Sequence, residues 1–175
     1  MWRAPPQEPN FESIQIKYLE NGTVAVVSFN RPKKANSMRY EDFDNLQTVF
    51  DYLGRVDSEV RAIVLTGNGK HFNAGLDIVS ASAMNEHKAQ PGDETNDPAR
   101  ASVRFGNIVS NLQATVSSVE RCRVPVISAL HGFVIGAGID ISAACDVRYT
   151  TKDARLTIKE VDIGLAADLG TIQRF

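Results

Sequence analysis

An α/β domain is the fold class this sequence predicts, and three features predict it. Short apolar runs rich in β-branched residues (TVAVVSFN, AIVLT, PVISAL) read as strands, stretches with an apolar residue every three or four positions read as helices, and turn residues separate the two kinds in alternation. Strand order does not follow from the pattern.

Taken in order, Thr23–Asn30 is a strand closed by Arg31-Pro32, and Ser37 is placed to cap the next helix. From Tyr40 to Leu53, the residues Phe43, Leu46, Val49, Phe50 and Leu53 share one helical face, and Gly54 ends the helix. Ala62–Thr66 is a continuous apolar run halted at Gly67-Asn68-Gly69, which predicts a strand buried on both faces; Pro125–Leu130 has the same character. Between them, the polar and turn-rich NEHKAQPGDETNDP is read as a mobile loop and Ala101–Val119 as a helix. Ile141–Cys145 reads as a small-residue helix, Val147–Thr150 and Leu156–Ile158 as strands, and a last helix begins near Ala166. The chain reaches Gln173-Arg174-Phe175 with no C-cap glycine or polar tail, so more protein is expected beyond it.

The 175 residues, 43% of them hydrophobic, suit one domain, with 1–12 as a flexible N-terminal arm and 13–175 as the core. A formal charge of -2, with no basic group beyond Arg31, Lys33 and Lys34, argues against a nucleic-acid partner. No apolar run approaches the ~18 residues of a membrane span. Cys122 and Cys145 lack metal-ligand spacing and are expected as reduced, buried thiols. His71 and His131 have no Ser or Cys nucleophile beside them and read as structural.

Two glycine motifs carry candidate chemistry. In HGFVIGAGID (His131–Asp140) an apolar run turns at Gly136-Ala137-Gly138 into a helix whose first amides point outward unpaired. No G-x-G-x-x-G follows, and Asp140 would face a pyrophosphate there, so a transient oxyanion fits better than a phosphate. HFNAGLD (His71–Asp77) ends another strand and could supply a second donor. Either motif alone also suits a tight turn that merely requires small residues. Asp140, Glu160 and Asp168 sit among apolar neighbours, where lost hydration raises a carboxyl pKa toward the range useful for proton transfer. Each has an ordinary alternative: Asp140 and Asp168 as first-turn helix acids, Glu160 as a solvent-facing residue. Asp146 and Asp162 read as turn or salt-bridge residues, and Lys159 as facing away from Glu160 if that segment is a strand.

HFNAGLDI (His71–Ile78), ERCRVPVISALHGFVIGAGIDISAACDVRYT (Glu120–Thr150) and KEVDIGLAADLGTIQRF (Lys159–Phe175) together resemble the enoyl-CoA hydratase/isomerase, or crotonase, superfamily, from about Ser13 onward. The resemblance implies an α/β, crotonase-like spiral of ββα units whose C-terminal helical region is missing from this chain, a homotrimer or homohexamer, and an acyl-CoA thioester substrate. It also implies that the substrate is held around Ala74, Gly75, Leu76, Asp77, Ile78 and Ala137, with the amides of Leu76 and Ala137 forming the oxyanion hole. Aspartate at 140, glutamate in KEVD and aspartate in GLAAD look like the dienoyl-CoA isomerases of fatty-acid β-oxidation, which move a 3,5-diene to a 2,4-diene. On that resemblance Glu160 is the base at C2, Asp168 the acid at C6, and Asp140 orients substrate or tunes its neighbours. No metal and no cofactor is implied, coenzyme A being part of the substrate, and the compartment is mitochondrial or peroxisomal. An enoyl-CoA hydratase, or a non-catalytic acyl-CoA-binding or assembly subunit, are the alternatives. A lysine that hydratases often carry after A-G-x-D is replaced here by Ile78-Val79-Ser80, which leaves Arg31, Lys33 and Lys34 as candidates for the CoA phosphates.

Overall fold

The computed structural model describes residues 7–81 and 97–174. Five strands form the main sheet in the order β1-β2-β3-β4-β6: β1 (Ile14–Leu19), β2 (Val24–Phe29), β3 (Ala62–Gly67), β4 (Val126–Leu130) and β6 (Val147–Thr150). β1 and β2 are antiparallel and every later neighbour is parallel. A second, short parallel pair joins β5 (Phe133–Ile135) to β7 (Arg155–Thr157). Single bridges extend that second layer, pairing Asn73 with Val134 and Met38 with Leu76. Successive turns of the chain therefore repeat one step, from a main-sheet strand to a short second-layer segment and then to a helix or 3₁₀ turn. This is the physical content of the spiral of ββα units.

The helices follow from the pattern that predicts them. In α1 (Tyr40–Leu53) the apolar stripe Phe43, Leu46, Val49, Phe50 and Leu53 is fully buried, and Gly54 ends the helix. Its start is not capped by Ser37. Asp42 instead reaches back to accept the Arg39 N–H at 2.8 Å and two bonds from the Arg39 guanidinium, because an acid in the third helical position can satisfy an unpaired amide from inside the helix. α2 (Ile78–Ala81) is a single turn. α3 (Pro98–Glu120) begins with the Asp97 carboxylate accepting the Ala99 N–H, and Thr115, Val116 and Val119 of its C-terminal half are buried, with α3 packed against α1. Most of the polar stretch expected as a mobile loop lies outside the described residues.

Several expectations are corrected. β3 and β4 alternate fully buried with half-buried residues rather than being sealed on both faces. The small-residue helix α4 runs Ala137–Ala143, starting at the glycine motif itself. The strand expected at Leu156–Ile158 lies one residue earlier, and Glu160–Ile163 is a 3₁₀ turn, not strand, so Lys159 curls round to pair with Asp162. No helix forms from Ala166: residues 168–174 make hydrogen-bonded turns, because the Thr171 N–H is taken by Asp140 and does not reach back along its own backbone.

Candidate active site

The second-layer segments exit into the site. Around HFNAGLD the backbone donors are nearly all committed: Asn73 N–H to Phe133 O, Ala74 N–H to Ala35 O, Gly75 N–H to the Asn73 side-chain oxygen, and Asp77 N–H to Met38 O. The bridge to Met38 uses the Gly75 carbonyl and the Asp77 amide, so the Leu76 N–H, lying between them, points to the opposite side. Among the described residues it has no acceptor. Ala137 is in the same condition for another reason. Gly136 N–H bonds Thr157 O and Gly136 O receives Ile139 and Asp140, which leaves the Ala137 amide unpaired in the first turn of α4.

The two amides belong to adjoining segments. Gly75 has φ +83°, and a Cβ built on it would sit 2.8 Å from Ile135 O and 3.4 Å from the Ala137 nitrogen. Asn73 fastens the segments together. Its backbone bonds both Phe133 O and Ile135 N–H, while its buried side chain accepts from Gly75 N–H and donates to Asn36 O. Asn36, also buried, donates in turn to Asn68 O and His71 O. Sequence reasoning passed over both asparagines; Asn73 carries a local signal, a side-chain amide inside the HFNAGLD turn that can serve backbone groups, and Asn36 carries none.

The three acids lie within electrostatic reach of one another. Asp140 is fully buried, and its Oδ1 accepts from Thr171 N–H at 2.7 Å and Thr171 Oγ–H at 2.6 Å, while Oδ2 is buried with no partner among the described residues. Burial pushes its carboxyl above the ordinary aspartate value, the Thr171 donors pull it down, and the Asp168 charge pushes it up again. Glu160 is half-buried, with its Oε2 sealed and unpaired among the described residues, and its Oε1 would be 3.3 Å from a Cβ on Gly136. Burial raises this carboxyl too, reinforced by the charges of Asp140 and Asp168. Asp168 is exposed, in a turn pinned by Gln113 Nε2 donating to its carbonyl at 2.8 Å. A site of this composition can hold an oxyanion beside two carboxyl groups, Asp140 and Glu160, whose burial makes them more basic than ordinary.

Other sequence candidates find structural work. Asp77 is buried and paired to the Arg31 guanidinium at 2.9 Å; burial opposes its charge, and Arg31 outweighs burial and holds the carboxyl below its ordinary range. Arg31 also donates to Ser37 O, so it is tied into the fold and is not a spare cation for phosphates; Lys33 and Lys34 remain exposed. Ile78 is exposed at the start of α2. His71 Nδ1 accepts the Phe133 N–H and its ring stacks on Phe133, and His131 lies 3.2 Å from Gly69 O. Asp146 accepts the Val126 N–H. Cys145 is buried and its thiol is pushed up to about 12 by that burial, which leaves it unreactive.

The sequence pattern of the enoyl-CoA hydratase/isomerase family matches residues 19–175. The chain belongs to this family. As a family member it is 41% identical over 174 residues to the mitochondrial Δ(3,5)-Δ(2,4)-dienoyl-CoA isomerase of Mus musculus, covering 98% of this chain and 51% of that one. It is 39% identical to the peroxisomal enzyme of the same name from Arabidopsis thaliana, covering 91% of this chain and 55% of the relative. Among solved structures, an enoyl-CoA hydratase from Bacillus anthracis superposes with a TM-score of 0.75 at 29% identity, over 93% of this chain and 56% of that one. This family member thus has the crotonase fold and spans about half the length of the curated relatives it matches.

Proposed function

We propose that this protein isomerises 3,5-dienoyl-CoA to 2,4-dienoyl-CoA in fatty-acid β-oxidation. The observation that carries the reading is the meeting of two unpaired amides, Leu76 and Ala137, with the carboxyl groups of Glu160, Asp140 and Asp168 in one site. The thioester oxygen accepts from the two amides. Glu160 removes a proton from C2, and the electron pair delocalises onto that oxygen on one side and through the diene to C6 on the other; each amide donor stabilises the charge developing on the oxygen by about 3 kcal/mol. Asp168 returns a proton at C6, leaving double bonds at C2–C3 and C4–C5. Glu160 then releases its proton and Asp168 regains one, so the cycle is neutral and calls for no metal or redox cofactor. The names of the two isomerase relatives support this substrate class, and their compartments support a mitochondrial or peroxisomal location. A trimer or hexamer of acyl-CoA-binding subunits completes the proposal.

The test is to incubate 3,5-dienoyl-CoA with the protein and follow the conjugated 2,4-dienoyl-CoA by its absorbance. Glu160→Gln and Asp168→Asn are each expected to lose 10²- to 10⁴-fold in kcat, roughly the span of general acid–base catalysis. Full activity in both variants would sink the two-acid mechanism, and hydration of a 2-enoyl-CoA without the diene shift would turn the assignment to a hydratase.

A further inference from the structure

We propose that Thr171 is a positioning residue of this site: it fixes which oxygen of Asp140 is left to the other acids, and it ties the turn carrying Asp168 to that same carboxyl group. The inference rests on the isomerase reading for the role of Asp168 and on geometry for the rest.

Both Thr171 donors converge on one oxygen. The N–H lies 2.7 Å and the Oγ–H 2.6 Å from Asp140 Oδ1, so that oxygen is saturated as an acceptor. Thr171 is 2% exposed and Asp140 0%, which denies water access to replace either bond. Oδ2 is buried and unpartnered among the described residues, and a proton on this carboxyl therefore resides there. The charged groups that face Asp140 are Asp168 and Glu160, which disfavour its ionised form, and Arg174, which favours it. Against that balance Thr171 is the neutral donor whose hydrogen bonds favour the carboxylate.

The same contact is mechanical. Thr171 lies three residues beyond Asp168 in the turns that follow the 3₁₀ segment, and Gln113 of α3 holds the Asp168 carbonyl. The acid is thus slung between α3 on one side and, through Thr171, the buried first turn of α4 on the other. Neither tether meets the reacting carbons, so Thr171 acts through Asp140 and Asp168.

The experiment compares Thr171→Val, which keeps the shape and the N–H but removes the hydroxyl, with Thr171→Ser, which restores it; Thr171→Ala replaces the valine variant if valine fails to fold. The Asp140 carboxyl is followed by ¹³C-aspartate NMR against pH in the full chain, with Asp140→Asn assigning the signal and no substrate present. Loss of the hydroxyl is expected to move the titration midpoint upward by about one pH unit, and serine to leave it near the original. In the diene-shift assay, Thr171→Val is expected to lower kcat about tenfold at unchanged KM and to shift the pH profile of kcat in the same direction, with serine restoring both. An unmoved Asp140 midpoint in folded Thr171→Val or Thr171→Ala overturns the proposal, as does a serine variant that behaves like valine. If the unsubstituted protein does not turn over 3,5-dienoyl-CoA, the isomerase reading falls, and the NMR titration still decides the hold of Thr171 on Asp140.

Discussion

At Asp140 a carboxyl group is closed off from solvent with one of its oxygens hydrogen-bonded and the other without a partner among the described residues, and stability should register the cost. Burial raises its folded-state pKa above the unfolded value of about 3.9, so the folded protein binds the proton more tightly. The resulting stability is fully present below about pH 4 and is lost as pH rises through the raised value, at about 1.4 kcal/mol for each pH unit that separates the folded from the unfolded midpoint. Asp140→Asn keeps an oxygen for Thr171 and removes the ionisation. It is expected to flatten the decline of denaturation midpoint with pH above 4, leaving the contribution of Glu160, which has the same sign. An unchanged slope in urea melts across pH 4–8 would show that Asp140 ionises without penalty. The acids themselves were legible in the sequence, because a carboxylate between apolar neighbours is conspicuous. Thr171 was not, since its partner lies 31 positions away and a threonine in GTIQR carries no local mark of a buried contact. The pairing of Asp77 with Arg31 was equally hidden, since the two residues lie far apart in the chain.

Among the elements, two glycines separate backbone necessity from mere presence. Gly75 combines φ +83° with a virtual Cβ 2.8 Å from Ile135 O, so Gly75→Ala must push apart the two segments that carry the Leu76 and Ala137 amides. Gly106 lies in α3 with nothing within 4 Å of its virtual Cβ, and alanine there should stabilise by up to about 1 kcal/mol through helix propensity. Thermal melts and the diene-shift assay on both variants check the pair, with loss of activity expected at 75 and a higher Tm with intact activity at 106. Long periodic segments were readable in advance: the predicted limits of α1 coincide with the observed ones because its buried stripe repeats over fourteen residues. β1 escaped because IQIKYL lies at a sheet edge with Lys17, Tyr18 and Leu19 all exposed, which blurs the period-two signal. β5 escaped because three residues inside HGFVIGAG are too few to show any period. Residues 168–174 read as a helix because nothing local reveals that a distant carboxylate takes the Thr171 amide.

Over the whole molecule, the core runs between the main sheet and α1, with Phe50 among its largest fully buried side chains. Phe50→Ala should cost about 3–5 kcal/mol, read from denaturant unfolding, while a loss under about 1 kcal/mol would mean that α1 is not anchored there. The α/β class was legible from alternation, but the two-layer arrangement was not, because single bridges such as Asn73 to Val134 leave no pattern in the chain. That arrangement puts Ala137 and Glu160 shortly after the short strands β5 and β7, and Leu76 in the bridge to Met38. The rung from Gly136 N–H to Thr157 O spans 3.0 Å, one residue before Ala137 and three before Glu160. Such a rung works as a ruler. The gap between the Ala137 amide and the Glu160 carboxyl is graduated by backbone hydrogen bonding, whereas Asp168 hangs on side-chain tethers. On the proposed isomerase reading, a bulkier acyl tail is therefore expected to displace Asp168 before it disturbs the spacing of Ala137 and Glu160.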